Sequence, residues 1–151
     1  MLRAQFTDTL KEAMKAKDER TLSTVRMIIA TLKTKDIDAR GKGNMDGIPD
    51  EEILSMLQTM VKQRRESIAL YQQGNRQDLA DKEQAEIAVI ERWLPQAMDE
   101  AETAAAIGTV IKDLGAAGMK DMGKVMAELK TRYAGRMDFS KVSAAVKAQL
   151  G

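Results

Sequence analysis

The chain has 151 residues and a mass of 16.7 kDa, enough for one domain or for one domain and a small second one. Lys and Arg total 24 against 23 Asp and Glu, a net charge of +1, and there is neither Cys nor His. This excludes disulfides, thiol nucleophiles, His-based triads and nearly every zinc or haem site, and an aromatic share of 3% argues against an all-β fold.

Near the N-terminus, Thr7, Asp8 and Lys11 interrupt any apolar signal-like region. No apolar run approaches the ~18 residues of a membrane span. With no cysteine, a cytoplasmic location is the default expectation. Leu2, Phe6, Leu10 and Ala13 then follow helical spacing and predict helix one over 2–17. Leu22, Val25, Ile29 and Leu32 predict helix two over 20–36. Residues 38–49 hold three glycines, one Asn and a final Pro, and read as a loop. Helix three starts near Pro49 with Asp50, Glu51 and Glu52 suited to the positive end of its dipole. Its stripe is Ile53, Leu57, Met60, Ile68 and Tyr71, and Gly74 marks its end. Asn75 can cap helix four, whose stripe is Leu79, Ile90, Trp93 and Leu94, with Pro95 closing it.

A domain boundary is expected here, giving an N-terminal domain over 1–95 and a C-terminal domain over 96–151. Asp99 and Glu102 have capping-box spacing before Ile107, Val110, Ile111 and Leu114. Gly115 to Gly118 is a turn. Helix six carries Met122, Val125, Met126, Leu129 and Tyr133, and Asp138 or Ser140 begins helix seven with Phe139, Val142, Val146 and Leu150. The expected architecture is all-α, with about four helices in the first domain and three in the second. At 56 residues the second domain is close to the size at which a lone core is marginal, so it should pack on the first, work on a tether, or both.

Three features break the pattern. Arg64 falls within the apolar arc of helix three, and Glu83 and Glu86 within that of helix four. A charge facing a core must be paired, so Arg64 is expected either to pair with Glu83 or Glu86 as a structural register device or to snorkel at the stripe edge. An adjacent cation would keep both carboxylates ionised and unreactive. Of the 11 methionines, Met56, Met60, Met119, Met122 and Met126 lie on or near apolar stripes, where core packing is the commoner role and a partner groove the sharper one. Finally, residues 119–151 hold seven basic and three acidic residues in an otherwise balanced chain. Lys120 and Lys124 lie opposite the stripe of helix six, Lys130 and Arg132 flank it, and Arg136 follows in the loop. Such a group suits a phosphate backbone, although a solvated helix face is its usual role. No P-loop, nucleotide fingerprint or nucleophile elbow is present, and Asp36, Asp38, Asp46 and Asp50 lack calcium-loop spacing. No catalytic residue, metal ligand or cofactor is assigned.

Met14-Lys-Ala-Lys-Asp18, Lys62-Gln-Arg-Arg-Glu-Ser-Ile68, Glu83-Gln-Ala-Glu-Ile-Ala-Val-Ile90, Trp93-Leu-Pro95, Gly118-Met-Lys-Asp-Met-Gly-Lys-Val-Met126 and Gly135-Arg136 are specific together. Through them the chain resembles the YqeY-like protein family over essentially its full length. It departs at Pro49, where a Ser or Thr cap is common, and in its glycine-rich loop 41–47. The resemblance implies a bacterial-type helical protein whose C-terminal domain is similar to the tail of the B subunit of the glutamine-dependent tRNA amidotransferase, where it helps to hold tRNA. It therefore implies tRNA or a tRNA-processing complex as partner, with Lys120, Lys124, Lys130, Arg132 and Arg136 on phosphates and the first amides of helix six adding to them. Two alternatives are a protein–protein adaptor without RNA contact and an accessory of the amidotransferase, whose carbon–nitrogen ligase label the family carries.

Overall fold

The computed structural model describes residues 1–151, which form seven α-helices and no strand. The helices are α1 (Leu2–Ala16), α2 (Glu19–Gly41), α3 (Asp50–Gln73), α4 (Gln77–Ile90), α5 (Glu100–Leu114), α6 (Met122–Arg132) and α7 (Phe139–Leu150). Short 3₁₀ turns at Glu91–Trp93 and Met119–Asp121 follow α4 and precede α6. The chain divides into two compact units, Met1–Leu94 and Pro95–Gly151.

In the first unit α1 packs on α2, α3 on α4, and α4 also on α2. Phe6, Val25, Ile28, Ile53, Leu57, Ile87 and Ile90 form its dry centre. Phe6 meets Trp93 edge to face with ring centroids 5.0 Å apart, a favoured aromatic geometry. The buried stripe of α2 runs through Val25, Ile28 and Leu32, while Ile29, expected on it, is only half-buried. In the second unit α5, α6 and α7 each pack on the other two around Ile107, Val110, Val125, Leu129, Met137, Val142 and Val146. Gln149 Nε2 donates to Ala104 O at 3.0 Å and ties α7 to α5.

Helix ends follow one device. A residue with left-handed backbone lets the next amide reach a carbonyl five residues back, which satisfies the last open carbonyls. Lys17 (φ 54) does this for α1, Gly43 for α2, Asn75 (φ 58) for α3 and Gly115 for α5. Two expectations are corrected here. Helix two continues through residues 38–41, because Gly43 rather than Gly41 supplies the reversal. Asn75 closes α3 instead of capping α4, whose N-cap position is Arg76. Three acidic caps do form: Asp18 accepts from Thr21 N, Asp99 from Glu102 N and Asp138 from Ser140 N.

The sequence reading missed one polar cluster. Arg3 Nη2 donates to Asp36 Oδ1 at 2.9 Å and to Ile48 O at 2.7 Å, and Ile48 N–H donates to Asp36 Oδ1 at 2.9 Å. The loop before α3 is thereby fastened to both α1 and α2. The Arg3 hydrogen bond holds the Asp36 carboxyl below the usual range, burial opposing it and the Ile48 amide assisting. Gly47 sits against this cluster at φ +85, and an added Cβ would lie 2.8 Å from Arg3 Nη2 and from Asp36 Oδ1.

Gly47→Ala is therefore expected to cost about 1–3 kcal/mol, from backbone strain plus displacement of the Arg3–Asp36 pair. Lys17→Gly, at an open left-handed position, is expected to stabilise by about 0.5–1 kcal/mol. Urea unfolding of the two variants should shift in opposite directions.

Candidate nucleic-acid interface and a buried ion cluster

The five candidate cations of the second unit fall into two groups. Arg132 Nη1 donates to Asp113 Oδ2 at 2.8 Å, joining α6 to α5, and its Nε donates to Glu128 Oε1 at 2.7 Å, one turn back on α6. These two hydrogen bonds, Asp113 first, raise the Arg132 pKa further. Arg136 Nε donates to Gln96 O at 3.0 Å, and its Nη2 lies 3.9 Å from Glu102 Oε2. Met98 N–H donates to Arg136 O at 3.0 Å, so the loop before α7 is fixed to the segment leading into α5. Both arginines are thus engaged within the unit. Lys120, Lys124 and Lys130 are exposed and form no ion pair. Lys124 and Lys130 lie on α6, and Lys120 lies in the 3₁₀ turn before it.

The start of α6 also differs from expectation. Asp121 occupies its N-cap position, and Asp121 Oδ2 accepts from Ala117 N–H at 2.9 Å. The Asp121 carboxylate makes no hydrogen bond to the α6 amides, but its charge beside them disfavours a phosphate there. Met119 is 46% exposed rather than part of the core, whereas Met137, which no stripe included, is buried. Met56 and Met60 are buried, and Met122 and Met126 are half-buried against the second core.

In the first unit Arg64 reaches across from α3 to α4. Its Nε donates to Glu86 Oε2 at 3.0 Å and stands 4.0 Å from Glu83 Oε2. Nη1 donates to Met60 O at 3.1 Å, and Nη2 points at Met27 Sδ, 3.7 Å away. The Arg64 and Glu86 side chains are each 12% exposed and Glu83 is 22% exposed. One guanidinium thus faces two carboxylates in a poorly solvated place. Burial pushes the Glu83 pKa up, the Glu86 charge adds to that, and Arg64 opposes both without prevailing. Arg64 thus bonds Glu86 and leaves Glu83 more distant. A groove of about 320 Å³ lies between α2 and α3, with Met56, Met60 and Ile48 among its lining and Thr31, Lys35 and Glu52 on its walls.

A chain with four helices in one compact unit, three in a second and no strand is, as a class, an all-α protein. The chain belongs to the YqeY-like protein family, whose model matches residues 3–150. It is 36% identical over 151 residues to the Eremothecium gossypii protein named "Altered inheritance of mitochondria protein 41, mitochondrial", covering 97% of this chain and 79% of that one. The Lachancea thermotolerans and Kluyveromyces lactis proteins of the same name are each 35% identical over 74% of this chain. The chain spans 58% and 59% of their respective lengths. These names correct the expectation of a bacterial-type cytoplasmic protein, since the relatives are described as mitochondrial. A lack of cysteine is compatible with any compartment and sets none.

Glu83→Gln is expected to raise the melting temperature at pH 7. An acid with a raised folded pKa favours the folded state below its unfolded value, near 4.3, and loses that favour as pH rises through the folded value. The gain should therefore vanish below about pH 4. Arg64→Met should instead cost about 3 kcal/mol or more at pH 7, because it strands the buried Glu86 and the half-buried Glu83. Thermal melts of both variants across pH 4–8 check the pair.

Proposed function

We propose that this protein binds a structured RNA of the tRNA class through α6 and the 3₁₀ turn before it, and that Lys120, Lys124 and Lys130 contact its phosphates. The observation carrying this reading is the sorting of charge in the second unit. Asp113 and Glu128 are taken up by Arg132, and Glu102 lies toward Arg136, while the three lysines remain exposed. Exposed ammonium groups without an intramolecular ion pair can meet phosphates. Membership of the YqeY-like family supports the same reading through the resemblance of this unit to the tRNA-holding tail of the amidotransferase B subunit. Contacts of this type fix orientation on a folded RNA without reading its sequence.

A second reading rests on the groove between α2 and α3. Its methionine lining and hydroxyl-bearing walls suit an adaptor that accepts a helix of a protein partner. Association with an amidotransferase is a special case of either reading.

Substitution of Lys120, Lys124 and Lys130 by Glu is expected to abolish retention of tRNA at 50 mM salt while leaving circular dichroism unchanged. With three phosphate contacts, the log–log salt slope of the native protein should be roughly −2 to −3. Arg132→Gln should lower thermal stability more than it lowers that slope. Undiminished retention by the triple variant would remove α6 as the site.

A further inference from the structure

The three donor atoms of the Arg64 guanidinium have partners of very different strength. On α3, Arg64 gives its Nε to the Glu86 carboxylate at 3.0 Å and its Nη1 to the Met60 carbonyl at 3.1 Å. Its Nη2 donates to the thioether sulfur of Met27 on α2, at 3.7 Å. A thioether is a weak acceptor, so a cation that is 12% exposed directs one of its nitrogens at a poor partner. Met27 is half-buried at the edge of the first core, whereas Met56 and Met60 of the same unit are buried.

An oxygen added to this sulfur changes the quality of the acceptor without a need to move it. A sulfoxide oxygen carries a large partial negative charge and accepts from a cationic donor at about 2.8 Å. Set about 1.5 Å from its sulfur and accepting at a bent angle of about 120°, it leaves sulfur and nitrogen about 3.8 Å apart. The separation of Met27 Sδ and Arg64 Nη2 already meets that requirement. At an apolar site with no donor beside it, the same oxygen is an unpaired polar group that loosens packing.

We infer that Met27 is a site of modification by peroxide, and that Arg64 takes up its sulfoxide so that oxidation fastens α2 to α3. The sulfur lone pair attacks one peroxide oxygen, and the S–O bond forms as the O–O bond breaks. The departing hydroxide removes the proton from the new S–OH and leaves as water; sulfur has lost two electrons and the peroxide has gained them. The position matters because α2 and α3 meet over a short stretch, and a groove lined by Thr31, Met56 and Met60 opens between them. Thr31 follows Met27 by one turn and donates to its carbonyl at 2.9 Å, so the added bond lies beside that groove. The inference is independent of RNA binding.

The test exposes the full chain to hydrogen peroxide for increasing times. Trypsin, cutting after Arg26 and Lys33, releases a peptide in which Met27 is the single methionine. Trp93, the single tryptophan, packs on Phe6 and reports unfolding of the first unit. The exposed Met14, Met45 and Met119 should react first and leave the Trp93 urea midpoint unchanged. Met27 should follow, with a rise in that midpoint of about 0.3 M. Met27 still unmodified once Met122 and Met126, half-buried in the second core, carry oxygen overturns the inference. So does a midpoint that falls as Met27 reacts. Met27→Gln sets an amide oxygen near the sulfoxide position and needs no oxidant. It should keep or raise the native midpoint, yet lower that of Arg64→Lys by about 0.5 M. An equal loss in both backgrounds overturns the inference, and the peroxide series decides by itself where Arg64→Lys does not fold.

Discussion

Arginine–carboxylate pairs between helices fasten each unit of this protein together. Arg3 holds Asp36, Arg64 holds Glu86, and Arg132 holds both Asp113 and Glu128. A planar guanidinium presents several donors in fixed directions, so it can serve a carboxylate and a backbone carbonyl together, as Arg3 does with Asp36 and Ile48. An ammonium on a flexible stem is more strongly hydrated and stays in water at less cost. Residues 95–151 contain eight basic and seven acidic residues, so composition alone predicts little field around the second unit. Within it Arg132 is engaged by Asp113 and Glu128, while Lys120, Lys124 and Lys130 stay exposed.

The ion cluster of the first unit shows the same pairing under stricter conditions. Arg64 and Glu86 sit between α3 and α4, where desolvation of either alone would be costly. The guanidinium also bonds the carbonyl of Met60, one turn back on its own helix, which fixes the side chain along α3 before it reaches α4. Register between the two helices is then set by a directional contact as well as by apolar packing. Glu83 pays part of this arrangement, being buried near a like charge and at the limit of the cation's reach.

In the second unit, rigidity and exposure occur together. The α5–α6 turn is bonded through its own backbone and through Asp121, yet it leaves Leu114 and Met119 outside the core. Core needs do not explain two large apolar side chains on a tightly held tip. The same Asp121 that fixes the turn places a negative charge at the N-terminal end of α6.

Period and capping made the helices legible. Apolar residues three and four apart specify which face of each helix turns inward, and Asp18, Asp99 and Asp138 start helices because their side chains reach an amide two or three residues ahead. The Glu128–Arg132 pair is equally local, four residues apart on one helix, and was open to the same reasoning. Where α2 stops was not legible, since any of several glycines or Asn75-like residues can take left-handed backbone and the choice depends on where the chain must reverse. Nor was the fate of the arginines: Asp113 is 19 residues from Arg132, Gln96 is 40 from Arg136, and Asp36 is 33 from Arg3. The sequence by itself determined an all-helical chain and a surplus of cations in its last third. Only the tertiary structure decided which of those cations are occupied, because pairing across helices depends on distances that folding creates and on desolvation that sequence order does not record.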